Sequence, residues 1–272
     1  MVLLRNGDLV MKKALITGTS RGLGRALSKI LTHRGYDVIA TARRIEDIKD
    51  LDAHQKLSID VTDENQVRKV AEECGIIDML VNNAAYSVAG PLEDIPIEEI
   101  RKEYETNVIG PLRLIKAVLP GMRQAGSGTI VNISSVGDHF ASPYGGSYSS
   151  AKAALAMMSE ALRFEVKHFG IRVILVEAGA IKTDFALNQK QFSSDAYRDL
   201  SAQLKISFEN YLKEDRRTQP EEVAKTIADT IESPDPGFRV LAGKDAEYMI
   251  SLRSRMSDAQ WEQSLMFSEL KW

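Results

Sequence analysis

Short apolar runs alternate along the chain with longer segments in which apolar residues recur every three or four positions. The runs are rich in valine, isoleucine and leucine, and they predict seven strands, at residues 14–17, 38–41, 56–59, 78–81, 129–133, 172–176 and 238–241. The longer segments predict helices at residues 22–33, 63–74, 97–119 and 149–169. Thr62 is the predicted cap of the second helix.

This alternation predicts βαβ units, and therefore a doubly wound α/β fold with a mostly seven-stranded parallel sheet and helices on both faces. In such folds the ligand crevice lies at the carboxyl ends of the strands. The chain has no repeat or linker that divides it, so we expect one domain at residues 12–245. Residues 1–11 are expected to be a short disordered leader, and residues 246–272 a C-terminal extension of the same domain.

The composition narrows the class of protein. With 272 residues, 44% hydrophobic and 27% charged, the chain is typical of a globular protein rather than a disordered or collagen-like one. A single cysteine, Cys74, excludes an internal disulfide and a cysteine zinc site, and no metal site is predicted. The net charge of -3 gives no basic footprint for nucleic acid. Because no apolar run reaches the ~18 residues of a membrane span, a cytoplasmic location is expected.

A glycine-rich segment stands between the first predicted strand and the first helix. It runs from Thr17 to Gly24 with the spacing Gly-x-x-x-Gly-x-Gly, which lets the backbone approach a pyrophosphate at a helix N-terminus. A purely structural glycine turn is the alternative. The residues expected to contact a dinucleotide here are Gly18, Ser20, Arg21, Gly22, Leu23 and Gly24.

The end of the second predicted strand bears on the choice between NAD(H) and NADP(H). Sites that prefer NAD(H) place an acid there, on the ribose 2′-hydroxyl. This chain has Arg43 and Arg44 instead, and no acid until Glu46. Because guanidinium groups bind a 2′-phosphate well, the sequence predicts a preference for NADP(H) over NAD(H). The alternative is that both arginines are simply solvated at a helix start.

A tyrosine and a lysine are placed for acid–base chemistry. Tyr148 and Lys152 are four residues apart at the start of a predicted helix, so they share one face. A neighbouring ammonium favours the phenolate and lowers the pKa of a tyrosine, which lets it exchange a proton with a carbonyl or alcohol oxygen. Ser135 closes the fifth strand and could hydrogen-bond the same substrate oxygen.

Together these motifs resemble the short-chain dehydrogenase/reductase family, in its single-domain, NADP(H)-preferring Rossmann form, over about residues 12–245. The resemblance implies a catalytic tetrad of Asn107, Ser135, Tyr148 and Lys152, with Tyr148 as the general acid. Lys152 would hold the nicotinamide ribose, and Asn107 would support a water in the proton relay. The resemblance adds cofactor contacts at Asp60, Val61, Asn83, Ala84, Ala85, Tyr148, Lys152, Gly179, Ile181 and Thr183.

The chain departs from the family pattern at two positions. Ala85 replaces the usual glycine after the fourth strand, and Ala178, in Glu177-Ala178-Gly179, replaces the usual proline after the sixth. The first change adds a methyl group beside the cofactor ribose, and the second releases a fixed φ angle. Neither change removes a reacting group.

The resemblance also places a substrate lid at residues 184–217. Substrate contacts are expected from Ser135, Tyr144, Tyr148 and Phe185. The other residues expected near the cleft are Val88, His139, Phe192, Tyr197, Phe208 and Tyr211. They could equally pack the lid onto the core, or, for His139, be an ordinary loop residue.

The predicted function is hydride transfer between NADP(H) and a carbonyl compound or secondary alcohol, with an apolar ketone or aldehyde as substrate. The resemblance implies a homodimer or homotetramer, paired through the two long helices. A non-catalytic NADP(H)-binding regulator or scaffold is the alternative, against which the intact Ser135, Tyr148 and Lys152 argue. A nucleotide-sugar epimerase would need a larger C-terminal domain than this chain provides.

Overall fold

Seven parallel strands form the central sheet of the computed structural model, which describes residues 2–5, 8–213 and 217–264. They are β1 Lys13–Ile16, β2 Asp37–Ala42, β3 Gln55–Ser58, β4 Met79–Asn82, β5 Gly128–Ser135, β6 Ile171–Ala178 and β7 Arg239–Ala242. In space they follow the order β7-β6-β5-β4-β1-β2-β3. The strand order reverses between β1 and β4, which is where a doubly wound sheet opens its ligand crevice. The predicted fold class is confirmed.

Helices cover both faces of this sheet. They are α1 Gly22–His33, α2 Glu64–Cys74, α3 Ile97–Tyr104, α4 Gly110–Ala125, α5 Gly146–Val166, α6 Arg198–Lys213, α7 Pro220–Glu232, α8 Ala246–Arg255 and α9 Asp258–Glu262. Leu27 of α1 and Ile227 of α7 belong to the core on one face. Val67 of α2, Leu114 of α4 and Ala156 of α5 belong to the core on the other. Burial of these apolar stripes is the main source of the sheet's stability.

Three helix boundaries differ from the sequence prediction. Thr62 does not cap α2, because the side chain of Asp63 accepts the backbone N–H groups of the first turn. The helix predicted at 97–119 is divided by a π-helical segment, Glu105–Ile109, and continues to Ala125. The helix predicted from Ser149 begins at Gly146, so Tyr148 lies in its first turn.

The prediction of a disordered leader at residues 1–11 is wrong for the residues of this segment that the structure describes. Val2–Arg5 pairs with Asp8–Met11 as an antiparallel hairpin. The extension forms α8 and α9, and Trp272 lies outside the described residues. Across the described part of the chain, no helix is long and apolar enough to cross a membrane.

Candidate active site

A cleft of about 1390 Å³ runs along the carboxyl ends of the strands. That volume exceeds the ~300–1,000 Å³ typical of small-ligand sites, so it can hold a dinucleotide and a substrate together. Most of the predicted cofactor contacts line it, namely Gly18, Ser20, Arg21, Gly22, Leu23, Gly24, Arg43, Asp60, Val61, Asn83, Ala84, Ala85, Tyr148, Lys152, Gly179, Ile181 and Thr183. Ser135 and Phe185 also line it.

Two glycines of the turn, Gly18 and Gly24, have no room for a side chain. Gly18 has a φ of +70°, and a Cβ there would lie 2.9 Å from Ala84 Cα. A Cβ on Gly24 would lie 2.3 Å from Asn83 Nδ2. The turn therefore leads tightly into α1, whose N-cap residue, Arg21, makes no side-chain capping hydrogen bond. The N–H groups of this helix start are suited to bind an anion such as a pyrophosphate.

The segment after β4 braces this turn. Thr17 Oγ1 accepts hydrogen bonds from the backbone N–H groups of Asn83 and Ala84, both at 3.0 Å. Asn83 Nδ2 donates to the carbonyl oxygens of Thr17 at 2.9 Å and Gly18 at 3.1 Å. The amide of Asn83 is thus used by the protein itself to hold the turn in shape beside the cleft.

The two adjacent arginines behave differently. Arg43 is exposed and lines the cleft, as does Arg21. Arg44 does not line the cleft, because its guanidinium donates to both carboxylate oxygens of Asp47, at 3.1 and 2.8 Å. Arg44 thus lies outside the cleft lining and its contact with a cofactor stays a prediction, whereas Arg43 and Arg21 line that end of the cleft.

Ser135, Tyr148 and Lys152 meet at the other end. Ser135 ends β5, and its Oγ accepts the backbone N–H of Gly137 at 3.1 Å. Lys152 Nζ donates to the carbonyl oxygen of Ile133 at 2.8 Å and lies 5.6 Å from the centre of the Tyr148 ring. The carbonyl of a strand residue thus anchors the ammonium beside the phenol.

Burial controls the proton affinities of this pair. It raises the pKa of Tyr148, and the charges of Glu103 and Asp138 raise it further, whereas a hydrogen bond with Ser135 lowers it. Burial lowers the pKa of Lys152 to about 8, against the opposite effects of Asp138 and Glu103. The protein alone thus keeps Tyr148 protonated, which is the form that can act as an acid.

Asn107 lies in the π-helical segment and is buried. Its Oδ1 accepts the backbone N–H of Tyr86 at 2.9 Å, and its Nδ2 donates to the Tyr86 carbonyl oxygen at 2.7 Å. The side chain does not line the cleft. Its amide therefore clamps the loop after β4, and the water-supporting role implied by the resemblance stays a prediction.

Among the described side chains of the lid, Phe185 lies at the reacting end of the cleft. Phe185 lies over Tyr148, with ring centres 5.9 Å apart. Tyr144 does not line the cleft; it has a φ of +66°, and its hydroxyl oxygen lies 2.7 Å from Ser201 Oγ of α6. Its expected contact with substrate is therefore not seen. Tyr197 also lies outside the cleft lining, and its hydroxyl donates to Glu93 at 2.8 Å.

The other residues expected near the cleft either lie outside its lining or have side chains that the structure does not describe. Val88 is buried in a short strand that pairs with Lys190, and it does not line the cleft. Phe192 also stays outside the lining. The side chains of Phe208 and Tyr211 lie outside the described residues.

The sequence analysis missed a polar group on the cleft wall. Lys102 and Lys190 line the cleft, and both bind Glu99 Oε1, at 2.8 and 3.0 Å. The Tyr86 hydroxyl donates to the same carboxylate. Hydrogen bonds from Lys102, Tyr86 and Lys190 hold the pKa of Glu99 well below its usual range. Tyr86 directly follows the Asn82–Ala85 motif and could have been suspected, but no local pattern indicates Lys190.

The glycine turn at one end of the cleft suits a dinucleotide, and Tyr148 and Lys152 at the far end suit proton exchange with the group that a nicotinamide would reduce or oxidise. The family model described as short chain dehydrogenase matches residues 12–193. The chain belongs to this family, which confirms the resemblance seen in its motifs.

Individual relatives extend the match over most of the chain. The 3-ketodihydrosphingosine reductase of Bacteroides thetaiotaomicron is 35% identical over 235 residues, which cover 84% of this chain and 87% of that protein. A short-chain dehydrogenase structure from Streptomyces avermitilis is 34% identical with a TM-score of 0.80, covering 94% of this chain and 97% of its own.

A third relative was crystallised with a cofactor. The short-chain dehydrogenase of Burkholderia cenocepacia J2315, in complex with NADP, is 27% identical with a TM-score of 0.76, covering 93% of this chain and 96% of its own. The present chain is therefore an oxidoreductase of the short-chain dehydrogenase type, and its neighbour's ligand supports binding of a nicotinamide cofactor.

Proposed function

We propose that this protein reduces an apolar ketone or aldehyde with NADPH, or runs the reverse oxidation, and that Tyr148 is the general acid–base. The observation that carries the proposal is the arrangement of Tyr148 between Ser135 and the buried ammonium of Lys152, in a cleft whose other end carries Arg43 and Arg21.

The residues present fit a dinucleotide, because Gly18 and Gly24 keep the backbone of the turn free of side chains at those two positions and Arg21 leaves the start of α1 without a side-chain cap. When bound, the nicotinamide supplies or accepts the hydride. Tyr148, protonated through burial, donates its proton to the carbonyl oxygen, and the Ser135 hydroxyl orients that oxygen. Lys152, anchored on Ile133, stabilises the phenolate that Tyr148 becomes.

The preference for NADP(H) rests on charge. Arg43 and Arg21 line the cleft, and no carboxylate takes the place at the end of β2 that would repel a 2′-phosphate. A guanidinium binds phosphate through charge-assisted, bidentate hydrogen bonds. The NADP complex of the Burkholderia relative is consistent with this assignment.

The proposal that the substrate is apolar rests on two observations. The Phe185 ring lies beside that of Tyr148, with centres 5.9 Å apart and planes tilted by 54°, so the cleft has an aromatic surface next to the proposed general acid. The Bacteroides relative is named as a 3-ketodihydrosphingosine reductase. A ketone carrying an alkyl or ring system would match that surface through burial of apolar area.

The test is NADPH oxidation by the purified protein with ketones of increasing chain length, together with aldehydes and quinones. We expect kcat/KM to rise with chain length, because each buried methylene adds about 0.8 kcal/mol of favourable transfer energy. If no carbonyl compound of the panel were reduced while NADPH still bound, the non-catalytic regulator would replace the enzyme as the better account.

We also propose that the protein is a homodimer or homotetramer in the cytoplasm. Met157 and Phe164, seven residues apart on α5, are 58% and 71% exposed. Two such large apolar side chains on one helix face favour burial against a second copy. Light scattering of Phe164→Asp should show a smaller particle than the wild type; an unchanged mass would argue against pairing through α5.

A further inference from the structure

A cluster of charged side chains adjoins the turn that follows Ser135. It consists of Asp138, His139, Glu177 and Arg239, and we call it the Glu177 cluster. The side chains of Asp138 and Glu177 are 0% and 2% exposed. Glu177 Oε1 binds two partners, Arg239 Nη1 and His139 Nε2, the latter at 3.0 Å. None of the four residues lines the cleft.

The cluster is bonded directly to the turn that carries the catalytic serine. This turn, Val136–Asp138, begins immediately after Ser135. Ser134 Oγ donates to Asp138 Oδ2 at 2.6 Å, and His139 Nε2 lies 3.3 Å from Asp138 Oδ1. Glu177 of β6 is the register partner of Ser134 on β5. Glu177 therefore holds the far end of the turn through His139, while strand pairing holds the near end.

Arg239 joins the same network to the helix that carries Tyr148 and Lys152. It comes from β7, where Leu241 is the register partner of Glu177. Its Nη2 lies 3.2 Å from Glu160 Oε2 on α5, and its Nη1 binds Glu177. One guanidinium thus connects α5, which carries Tyr148, with Glu177 on β6, the strand paired with the one that ends at Ser135. Its Nη1 also lies 4.0 Å from Asp138 Oδ2 in the turn after Ser135.

Because its charges are buried and paired, the Glu177 cluster should be destabilised by removal of any one of its four side chains. Burial and the charge of Glu177 raise the pKa of Asp138 to about 6, against the effects of Ser134, His139 and Arg239. Removing one partner of a buried ion pair leaves an uncompensated charge, which is strongly unfavourable. A metal ion is a poor occupant, although Asp138, His139 and Glu177 each offer a ligand atom within 4.8 Å, because the Arg239 guanidinium is already bound to Glu177.

We propose that the Glu177 cluster positions Ser135 for the reaction by holding the turn Val136–Asp138 against the carboxyl ends of β5 and β6. Glu177 and His139 act through the turn, so they are positioning residues. The inference rests on the proposed function where it concerns turnover. The glycine turn follows β1 and shares no residue with the cluster. The side chain of Glu177 binds His139 and Arg239, and neither residue lines the cleft beside the cofactor contact Gly179, so we expect cofactor affinity to change little in a Glu177 variant.

The experiment compares Glu177→Gln with Glu160→Gln in the full-length protein. Both substitutions remove one negative charge and preserve size, and both residues bind Arg239, but only Glu177 is linked to the turn. We expect Glu177→Gln to lower kcat at least tenfold while the Kd for NADPH stays within twofold. Glu160→Gln should keep both quantities within twofold. Glu177→Gln with wild-type kcat would overturn the proposal.

Hydrogen exchange provides a readout that does not need turnover. The backbone N–H of Gly137 donates to Ser135 Oγ, and that of His139 to the Val136 carbonyl oxygen at 3.1 Å. Exchange in a peptide covering this turn should be at least tenfold faster in Glu177→Gln than in Glu160→Gln. If exchange accelerated equally throughout the protein, the cluster would be a general stabiliser and the proposal would be wrong.

A second variant covers a failure of Glu177→Gln to fold. His139→Ala removes the hydrogen bond that ties Glu177 to the end of the turn, but leaves the ion pairs of Arg239 with Glu177 and, at 4.0 Å, with Asp138. This variant should speed hydrogen exchange in the peptide that covers the turn and should lower kcat. An exchange rate equal to that of the wild type would overturn the proposal. If the wild type reduced no carbonyl compound at all, the proposed function would fail, whereas exchange would still decide whether the cluster holds the turn.

Discussion

The two ends of the cleft are built from different kinds of interaction. At the cofactor end, the contacts beside the glycine turn are buried: the backbone N–H of Thr19 donates to the Thr41 carbonyl oxygen at 2.9 Å, and the Thr41 side-chain hydroxyl donates to the Ile16 carbonyl oxygen at 2.9 Å. At the other end, beyond the buried catalytic residues, the lid is held by side chains near solvent, as in the contacts of Tyr197 with Glu93 and of Lys190 with Glu99.

This difference explains why the glycine turn could be predicted from the sequence and the contacts of the lid could not. A backbone path as tight as that at Gly18 and Gly24 admits one residue type, because a Cβ would collide with its neighbours. An exposed ion pair contributes only about 0–1 kcal/mol, so many residue pairs can hold a lid equally well. The substrate end can therefore change without unfolding the protein.

Tyr148→Phe should have the largest effect and should separate chemistry from cofactor binding. It removes one hydroxyl, and general acid catalysis contributes about 10²–10⁴-fold to a rate, so we expect kcat to fall about a thousandfold. The Kd for NADPH, measured by fluorescence titration, should stay within twofold. Turnover close to wild type would show that another group supplies the proton.

Gly24→Ala tests the rigidity of the cofactor end. The new Cβ would lie 2.3 Å from Asn83 Nδ2 and 2.5 Å from the Gly18 carbonyl oxygen. We expect a loss of stability of about 1–3 kcal/mol and NADPH affinity weakened about a hundredfold. Gly121→Ala in α4 is the matched control, since its nearest neighbours are 3.8 Å away. Equal effects of the two substitutions would contradict the steric argument.

The buried ammonium of Lys152 gives a dependence of stability on pH. The pKa of Lys152 is lowered to about 8 from 10.5, so between these values the unfolded chain binds more protons than the folded one. The free energy of unfolding without cofactor should therefore rise from pH 8 to 10.5 through this group, by about 1–3 kcal/mol. Urea titrations at a series of pH values should show that the free energy of unfolding rises more steeply with pH in the wild type than in Lys152→Met. Equal pH dependence in the two proteins would refute the assignment.

Arg43→Ala should change cofactor choice without changing chemistry. Loss of a charge-assisted contact to the 2′-phosphate should weaken NADPH binding about tenfold, whereas the affinity for NADH should not change. Arg44→Ala is the control, because that guanidinium is engaged by Asp47 outside the cleft. A larger loss of NADPH affinity in Arg44→Ala would reverse our assignment of the two arginines.

Trp261→Ala probes the packing behind the lid and should have the smallest effect. Trp261 packs against Phe140, Leu200 and Leu204, so it joins the extension to α6 and to the loop before Tyr148. We expect KM for the carbonyl substrate to rise about threefold through looser lid packing, with NADPH affinity unchanged. Trp261→Phe should have a KM close to that of the wild type. Weakened NADPH binding in Trp261→Ala would contradict our assignment of the extension to the substrate end of the cleft.

Apolar periodicity was sufficient to predict the sheet and most helices, because buried strands and one-sided helices are local patterns. It placed the start of α5 three residues late, since Gly146 and Ser147 carry no apolar signal. It also chose Thr62 over Asp63 as the cap of α2, because both residue types cap helices and only the fold shows which side chain meets the first turn.

By itself, then, the sequence determined the order of the seven sheet strands and of helices α1 to α5, the glycine turn, and the spacing that unites Tyr148 with Lys152; it did not predict α6 to α9. These features follow from sterics and periodicity within a few residues. The tertiary structure alone decided that Arg43 lines the cleft and Arg44 does not, and that Asn107 clamps Tyr86. It also brought Glu177 to His139 and Arg239. Such side chains find partners tens of residues away, and only the packed fold selects which partner is within reach of a hydrogen bond.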